Sequence, residues 1–153
     1  MLKKSVALLF TFVLILSTIS FVQAGHKGKH KSKDLKLGVD VVLSSEKDLL
    51  KGKRVGLITN PTGVDKDLNS IVDRFYQDKD INLTALYGPE HGVRGDAQAG
   101  SYVDFYIDET TGLPVYSLYG KTRKPTPEML EDVDVLVFDI QDVGTRFYTY
   151  IYT

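Results

Sequence analysis

RVGLITNPTG, residues 54–63, opens with an almost continuous apolar run from Arg54 to Thr59 and closes on a polar turn carrying Pro61 and Gly63. A short β-rich run bounded in this way predicts a strand, and its lack of polar alternation predicts one covered on both faces. DVLVFDI, Asp134 to Ile140, repeats the pattern. Between them NLTALY (Asn82 to Tyr87) and LPVYSLY (Leu113 to Tyr119) supply two further strand candidates.

Helical periodicity fills the gaps. Leu68, Ile71, Val72, Phe75 and Tyr76 recur at the i, i+3, i+4, i+7, i+8 spacing of one helix face, with Asp65 or Asp67 as its expected cap. A shorter helix is predicted from Thr126, with Pro127 at its first position, and another from Ser44 or Ser45 through Leu50, closed by Gly52. Strands alternating with helices predict an α/β domain: an open, mainly parallel sheet with helices on both faces. The aromatic stretch TRFYTYIYT (Thr145 to Thr153) reads as the start of a new element, so the domain is expected to be truncated at its carboxyl end and to leave apolar surface uncovered.

The first residues bound the compartment. Lys3 and Lys4 precede an apolar run from Val6 to Val22, and Val22 and Ala24 suit a peptidase site before Gly25, so residues 1–24 are expected to be a cleavable secretory signal peptide. The run is too short and too polar for the roughly 20 apolar residues of a spanning helix. Residues 25–36 (GHKGKHKSKDLK) carry five Lys and one acid and read as a basic flexible linker, able to rest on an anionic wall polymer or membrane surface. From Leu37 onward 12 Lys and Arg face 19 Asp and Glu, a net charge of −7, which argues against a nucleic acid partner. The chain has no cysteine, so its core must hold it together without disulfides.

In an open parallel sheet, ligands bind beyond the carboxyl ends of the strands. The segments in that position are Asn60 to Gly63, GPEHGVRG (Gly88 to Gly95), Gly120 to Arg123, and Asp139 to Arg146. GPEHGVRG is the most pointed, with Glu, His and Arg in a loop whose glycines allow close approach to a ligand. Glu90 is the candidate general acid if partial desolvation raises its pKa. His91 could orient Glu90 or touch substrate. Arg94 and Arg146 carry planar forks suited to a carboxylate, and each could equally pair with Asp96 or Asp142. Asp139 ends a strand where functional carboxylates gather, Asp142 follows it, Gln141 offers both donor and acceptor to a sugar amide, and Tyr87, Tyr102, Tyr119 and Tyr148 offer stacking faces. The turn ITNPTG lacks GxGxxG, no GxxxxGK[ST] or HExxH occurs, and the other histidines, His26 and His30, lie in the linker, so neither a nucleotide cofactor nor a metal is signalled.

Taken together, GVDVVL (38–43), GLITNPTGVD (56–65), GPEHGVRGDAQAG (88–100) and FDIQDVGTRFYTYIYT (138–153) resemble the NamZ family of exo-acting β-N-acetylmuramidases. The resemblance implies that residues 37–153 form the Rossmann-like amino-terminal domain of such an enzyme, with a second domain to follow. It implies release of N-acetylmuramic acid from non-reducing ends of peptidoglycan fragments, without a cofactor, by a secreted or envelope-associated bacterial protein. Glu90 matches the glutamate of the GPEHG block. His91 and Asp139 join it as expected catalytic residues, and Asn60, Arg94, Gln141, Asp142 and Arg146 as expected substrate contacts. A second reading is a catalytically silent domain that at most binds wall fragments.

Overall fold

The computed structural model describes residues 35–153, so the expected signal peptide and nearly all of the basic linker lie outside the described residues. Residues 36–153 form one unit. Its elements are α1 (Gly38–Ser44), β1 (Arg54–Thr59), α2 (Ile71–Gln77), β2 (Asn82–Gly88), β3 (Tyr106–Ile107), β4 (Pro114–Ser117) and β5 (Val135–Asp139), with single 3-10 turns at Lys47–Leu49, Glu128–Leu130 and Tyr150–Tyr152. The sheet order is β3-β4-β2-β1-β5. β4, β2, β1 and β5 run parallel, and the two-residue β3 is antiparallel on the β4 edge. This is the expected open, mainly parallel, Rossmann-like sheet. The chain lays β2 and then β4 on one side of β1 and returns to place β5 on the other, so the order reverses between β1 and β5.

Alternation sorts β1 into two cores. Val55 and Leu57 join the helix residues Val39, Ile71, Val72 and Phe75, while Ile58 joins Ala85, Tyr87 and Leu118 on the opposite face. Each such buried side chain contributes about 1.5–3 kcal/mol of transfer free energy. The β1–β2 register shifts between Val55 and Gly56, making Thr84 the extra residue of a bulge. The Thr84 hydroxyl then donates to Asp132 O at 2.7 Å, tying the bulge to the segment that leads into β5. Gly56 is required by a close approach: a Cβ there would lie 2.8 Å from Leu136 and 2.9 Å from the Tyr87 ring. Tyr87 fills that space, stacks on Tyr116 with centroids 5.5 Å apart, and donates its hydroxyl to Met129 O at 2.6 Å.

Several expectations are corrected. Both helices cover one face, and the other is covered by Met129, Leu130 and Val133 around a single 3-10 turn, where the helix from Thr126 was expected. Pro127 suits a helix start, but Asp134 N already donates to Arg54 O at 2.8 Å and β5 begins at Val135, which leaves room for a single turn only. Ser44 and Ser45 end α1 instead of starting a helix, their hydroxyls turned back onto Asp40 O and Val41 O. α2 begins later than expected. Ser70 caps it through Val72 N at 3.2 Å, whereas Asp65 Oδ1 accepts from the backbone of Asp67 and Asn69 and closes a turn that leaves Leu68 exposed with φ +64°. β1 is covered on both faces, but β5 is a sheet edge with Leu136 and Phe138 exposed, and Phe147, Ile151 and Tyr152 are exposed beyond it.

Candidate active site

The strand order reverses between β1 and β5, the position where open parallel sheets bind ligands, and there Thr59 and Asp139 stand opposite each other in the register. Thr59 Oγ1 donates to Asp139 O at 2.8 Å. Asn60 Oδ1 accepts from Thr62 N at 2.9 Å and from the Thr62 hydroxyl, which in turn accepts Gln141 N at 2.8 Å. Gly63 permits this closeness, since a Cβ would collide with the Thr59 hydroxyl and lie 3.0 Å from Asp139 O. Two side-chain atoms in this knot, Asp139 Oδ2 and Asp142 Oδ2, are buried without a hydrogen-bond partner, and buried Asn60 Nδ2 has only the neighbouring Tyr150 hydroxyl. Polar atoms buried and unpaired are costly, and where they gather they are poised for a ligand. Burial alone pushes the Asp139 carboxyl up from its ordinary pKa, which favours its neutral, proton-bearing form.

GPEHG forms the neighbouring wall. Gly92 N donates to Pro89 O at 2.9 Å, closing a turn whose third residue, His91, has φ +71°. That conformation is uncommon for a residue with a side chain and marks local strain of about 1–3 kcal/mol. The His91 ring offsets part of it, with Nδ1 2.9 Å from Ala97 O, and so steadies the loop. Glu90 Oε1 accepts from Gly100 N at 3.1 Å and Oε2 from the Thr149 hydroxyl at 3.0 Å. The Tyr119 hydroxyl also reaches this carboxylate. Burial pushes the Glu90 pKa up, but Gly100, Thr149, Tyr119 and the nearby His91 outweigh it and hold the group below the ordinary carboxylate value. Glu90 is therefore an anion here, against the expectation of a raised pKa. Buried Tyr150 links the two walls, lying next to Asn60 and sensing the charge of Glu90.

The remaining expected residues divide. Arg94 is held by carboxylates that the sequence reading did not name: Nε donates to Asp108 at 2.9 Å, and a terminal nitrogen donates to Asp108 at 3.0 Å and Asp73 at 2.9 Å. Asp108 has further donors in Thr111 N and the Thr111 hydroxyl. The hollow of 370 Å³ beside Arg94 is lined also by Asp96, Asp108 and Glu109, a setting that repels an anion. Two of the three Arg94 guanidinium nitrogens are thus engaged by carboxylates, which gives Arg94 a supporting role in the domain. Gln141 and Arg146 are exposed in the segment after β5, and Arg146 makes no ion pair among the described residues. Asp142 Oδ1 accepts Gly144 N at 2.6 Å. Among the described residues no group of three or more His, Asp and Glu is arranged to hold a metal ion. Sequence reasoning missed Thr149, Tyr150 and Gly100 as neighbours of Glu90. Only the hydroxyl-rich makeup of TRFYTYIYT hinted at the first two.

An open, mainly parallel α/β sheet with its polar loops gathered beyond the carboxyl ends of β1, β2 and β5 defines a Rossmann-like domain. Residues 55–153 match the family model for the amino-terminal domain of the exo-β-N-acetylmuramidase NamZ, and the chain belongs to that family. It is 58% identical over 154 residues to the peptidoglycan β-N-acetylmuramidase NamZ of Bacillus subtilis (strain 168), covering 99% of this chain and 37% of that protein. A crystal structure of a DUF1343 family protein from Bacteroides fragilis NCTC 9343 superposes with a TM-score of 0.68 at 61% identity, covering 76% of this chain and 28% of the other. A second DUF1343 family protein from the same source gives a TM-score of 0.58 at 34% identity, covering 75% and 28%. The chain thus spans little more than a third of the length of the Bacillus relative.

Proposed function

We propose that residues 37–153 are the amino-terminal part of an exported exo-acting β-N-acetylmuramidase, which releases N-acetylmuramic acid from the non-reducing ends of peptidoglycan fragments. The observation that carries this reading is the pair of unpartnered buried carboxyl oxygens on Asp139 and Asp142 at the end of β5, with the ionised Glu90 in the loop after β2. Glycoside hydrolysis commonly uses one carboxyl group to protonate the leaving oxygen and one carboxylate to face the charge growing on the sugar carbon. Asp139, whose burial favours the protonated form, is suited to the first task. Glu90, ringed by donors, is suited to the second. This reading assigns Asn60 and Gln141 to the acetamido group and the hydroxyls of the sugar. A second reading keeps Glu90 as the acid. Burial already presses its pKa upward, so a sugar displacing Thr149 or Tyr119 would tip the balance.

The test uses a chimera in which residues 36–153 replace the matching segment of the Bacillus relative. Two substrates are compared, a natural muramyl disaccharide and a muramyl chromogen whose phenolate leaves without protonation. Loss of the acid slows the disaccharide by about 10²–10⁴-fold and spares the chromogen. Asp139→Asn is expected to behave so, while Glu90→Gln slows both substrates. The second reading reverses the two. Undiminished turnover by both variants on both substrates would remove these carboxyl groups from the mechanism. Export by residues 1–24, with residues 25–36 as tether to an anionic envelope surface, belongs to the same reading, and mass spectrometry of secreted chain is expected to find Gly25 first.

A further inference from the structure

The loop after β4 carries charge that nothing described so far uses. No acidic residue occurs between Glu109 and Glu128, yet Lys121, Arg123 and Lys124 fall within four positions, in a domain that is otherwise acidic. None of the three takes part in an ion pair among the described residues. The loop has a defined shape: the Thr122 hydroxyl donates to Lys124 O at 2.6 Å, and the Tyr102 ring packs directly on Gly120, where any side chain would collide with it. The Arg123 guanidinium sits 5.8 Å from the centroid of the Tyr119 ring. Tyr119 lies near enough to Glu90 for the carboxylate to push its pKa up, and Glu90 is tied to Gly100, two residues before Tyr102.

From this juxtaposition we infer that Arg123, stacked on Tyr119 beside Glu90, is the specificity-determining cation that receives the carboxylate of an acidic sugar, with the exposed Tyr102 ring as a platform for its apolar face. The inference rests on the muramidase reading above and deepens it. N-acetylmuramic acid differs from N-acetylglucosamine by a lactyl ether ending in a carboxylate, so a cation at one edge of the sugar site separates the two. Arg94 is less suited, because Asp73 and Asp108 already neutralise it through two of its nitrogens. Arg123 is held by an aromatic face instead of a carboxylate, which leaves its hydrogen-bonding edge open to ligand.

The experiment is calorimetric titration of the full chain with N-acetylmuramic acid and with N-acetylglucosamine, at low and high salt. The chain is expected to prefer the acidic sugar, and added salt to weaken that preference alone. Arg123→Met is expected to weaken N-acetylmuramic acid by about 10- to 100-fold and to leave N-acetylglucosamine unmoved, with Arg123→Lys falling between. Circular dichroism of each variant checks the fold, and Arg146→Met, in the segment after β5, is the comparison. Equal binding of the two sugars by the parent chain, equal loss for both in Arg123→Met, or loss of the preference only in Arg146→Met would overturn the inference. The chimera separates this from the function itself. Turnover of the muramyl chromogen with kcat/KM unchanged by Arg123→Met sinks the cation alone, whereas no turnover by the parent chimera sinks the muramidase reading.

Discussion

Replacing Arg94 by Met asks whether this guanidinium supports the domain or serves a substrate. Its side chain retains 25% of its exposure, but the Asp108 side chain beneath it retains only 4%, so Met would leave an almost fully buried carboxylate without its cation. Breaking a buried pair from one side costs about 3–5 kcal/mol. The lower end applies, because Thr111 still donates twice to Asp108. The Asp73 arm adds little, since that side chain is 33% exposed and water takes over the lost contact. A loss of about 3 kcal/mol lowers the melting temperature of a domain this size by about 10–15 °C. The pH dependence carries the same signature. Arg94, more than Thr111, holds the Asp108 pKa below its unfolded value against the upward push of burial. The parent is therefore stabilised above the unfolded carboxylate pKa of about 3.9, and loses that contribution as pH falls through the lower folded value. In Arg94→Met Asp108 keeps its burial and its two Thr111 donors but loses its cation, so its folded pKa rises and the stability lost on acidification shrinks. Differential scanning calorimetry from pH 3 to 8 reads both effects. A variant melting within a degree or two of the parent, with the same pH profile but no affinity for N-acetylmuramic acid, would refute the supporting role and return Arg94 to the sugar site.

Thr149→Val removes one donor from Glu90 and is expected to raise its pKa, which carbon-detected NMR titration of the Glu90 carboxyl reports; because a lowered folded pKa stabilises at higher pH and is lost in acid, the variant should lose less stability on acidification than the parent. Gly63→Ala forces the Thr59 hydroxyl off Asp139 O and is expected to cost about 1–3 kcal/mol in denaturant unfolding while weakening sugar binding. Ser70→Ala strips the cap from α2 at a cost of about 1 kcal/mol and should leave sugar binding untouched.

What could be read from the sequence follows from where each determinant sits along the chain. β1, β2, β4 and β5 announce themselves by local composition, and a parallel sheet carries their following loops to one edge, where the sequence leads one to expect Asn60, Glu90 and Asp139. Helix limits were legible only in part. Leu68 fits the apolar periodicity but lies in a turn that buried Asp65 organises, and the β-branched GVDVVL reads poorly as helix although α1 forms there against the sheet. β3 is two residues long and exists only as a partner for β4. The environments of Glu90 and Arg94 depend on contacts 59, 21 and 14 positions away, and no spacing rule reaches that far. The charge states consequently went the other way: the carboxyl group thought to be raised is lowered, and a raised one is found on Asp139.

The hydroxyl bridge between Thr149 and Glu90 fastens the aromatic segment after β5 to the loop after β2. Charge and seating are thereby linked: whatever neutralises the glutamate loosens its hold on that segment, and whatever lifts the segment lets the carboxyl titrate closer to its ordinary value.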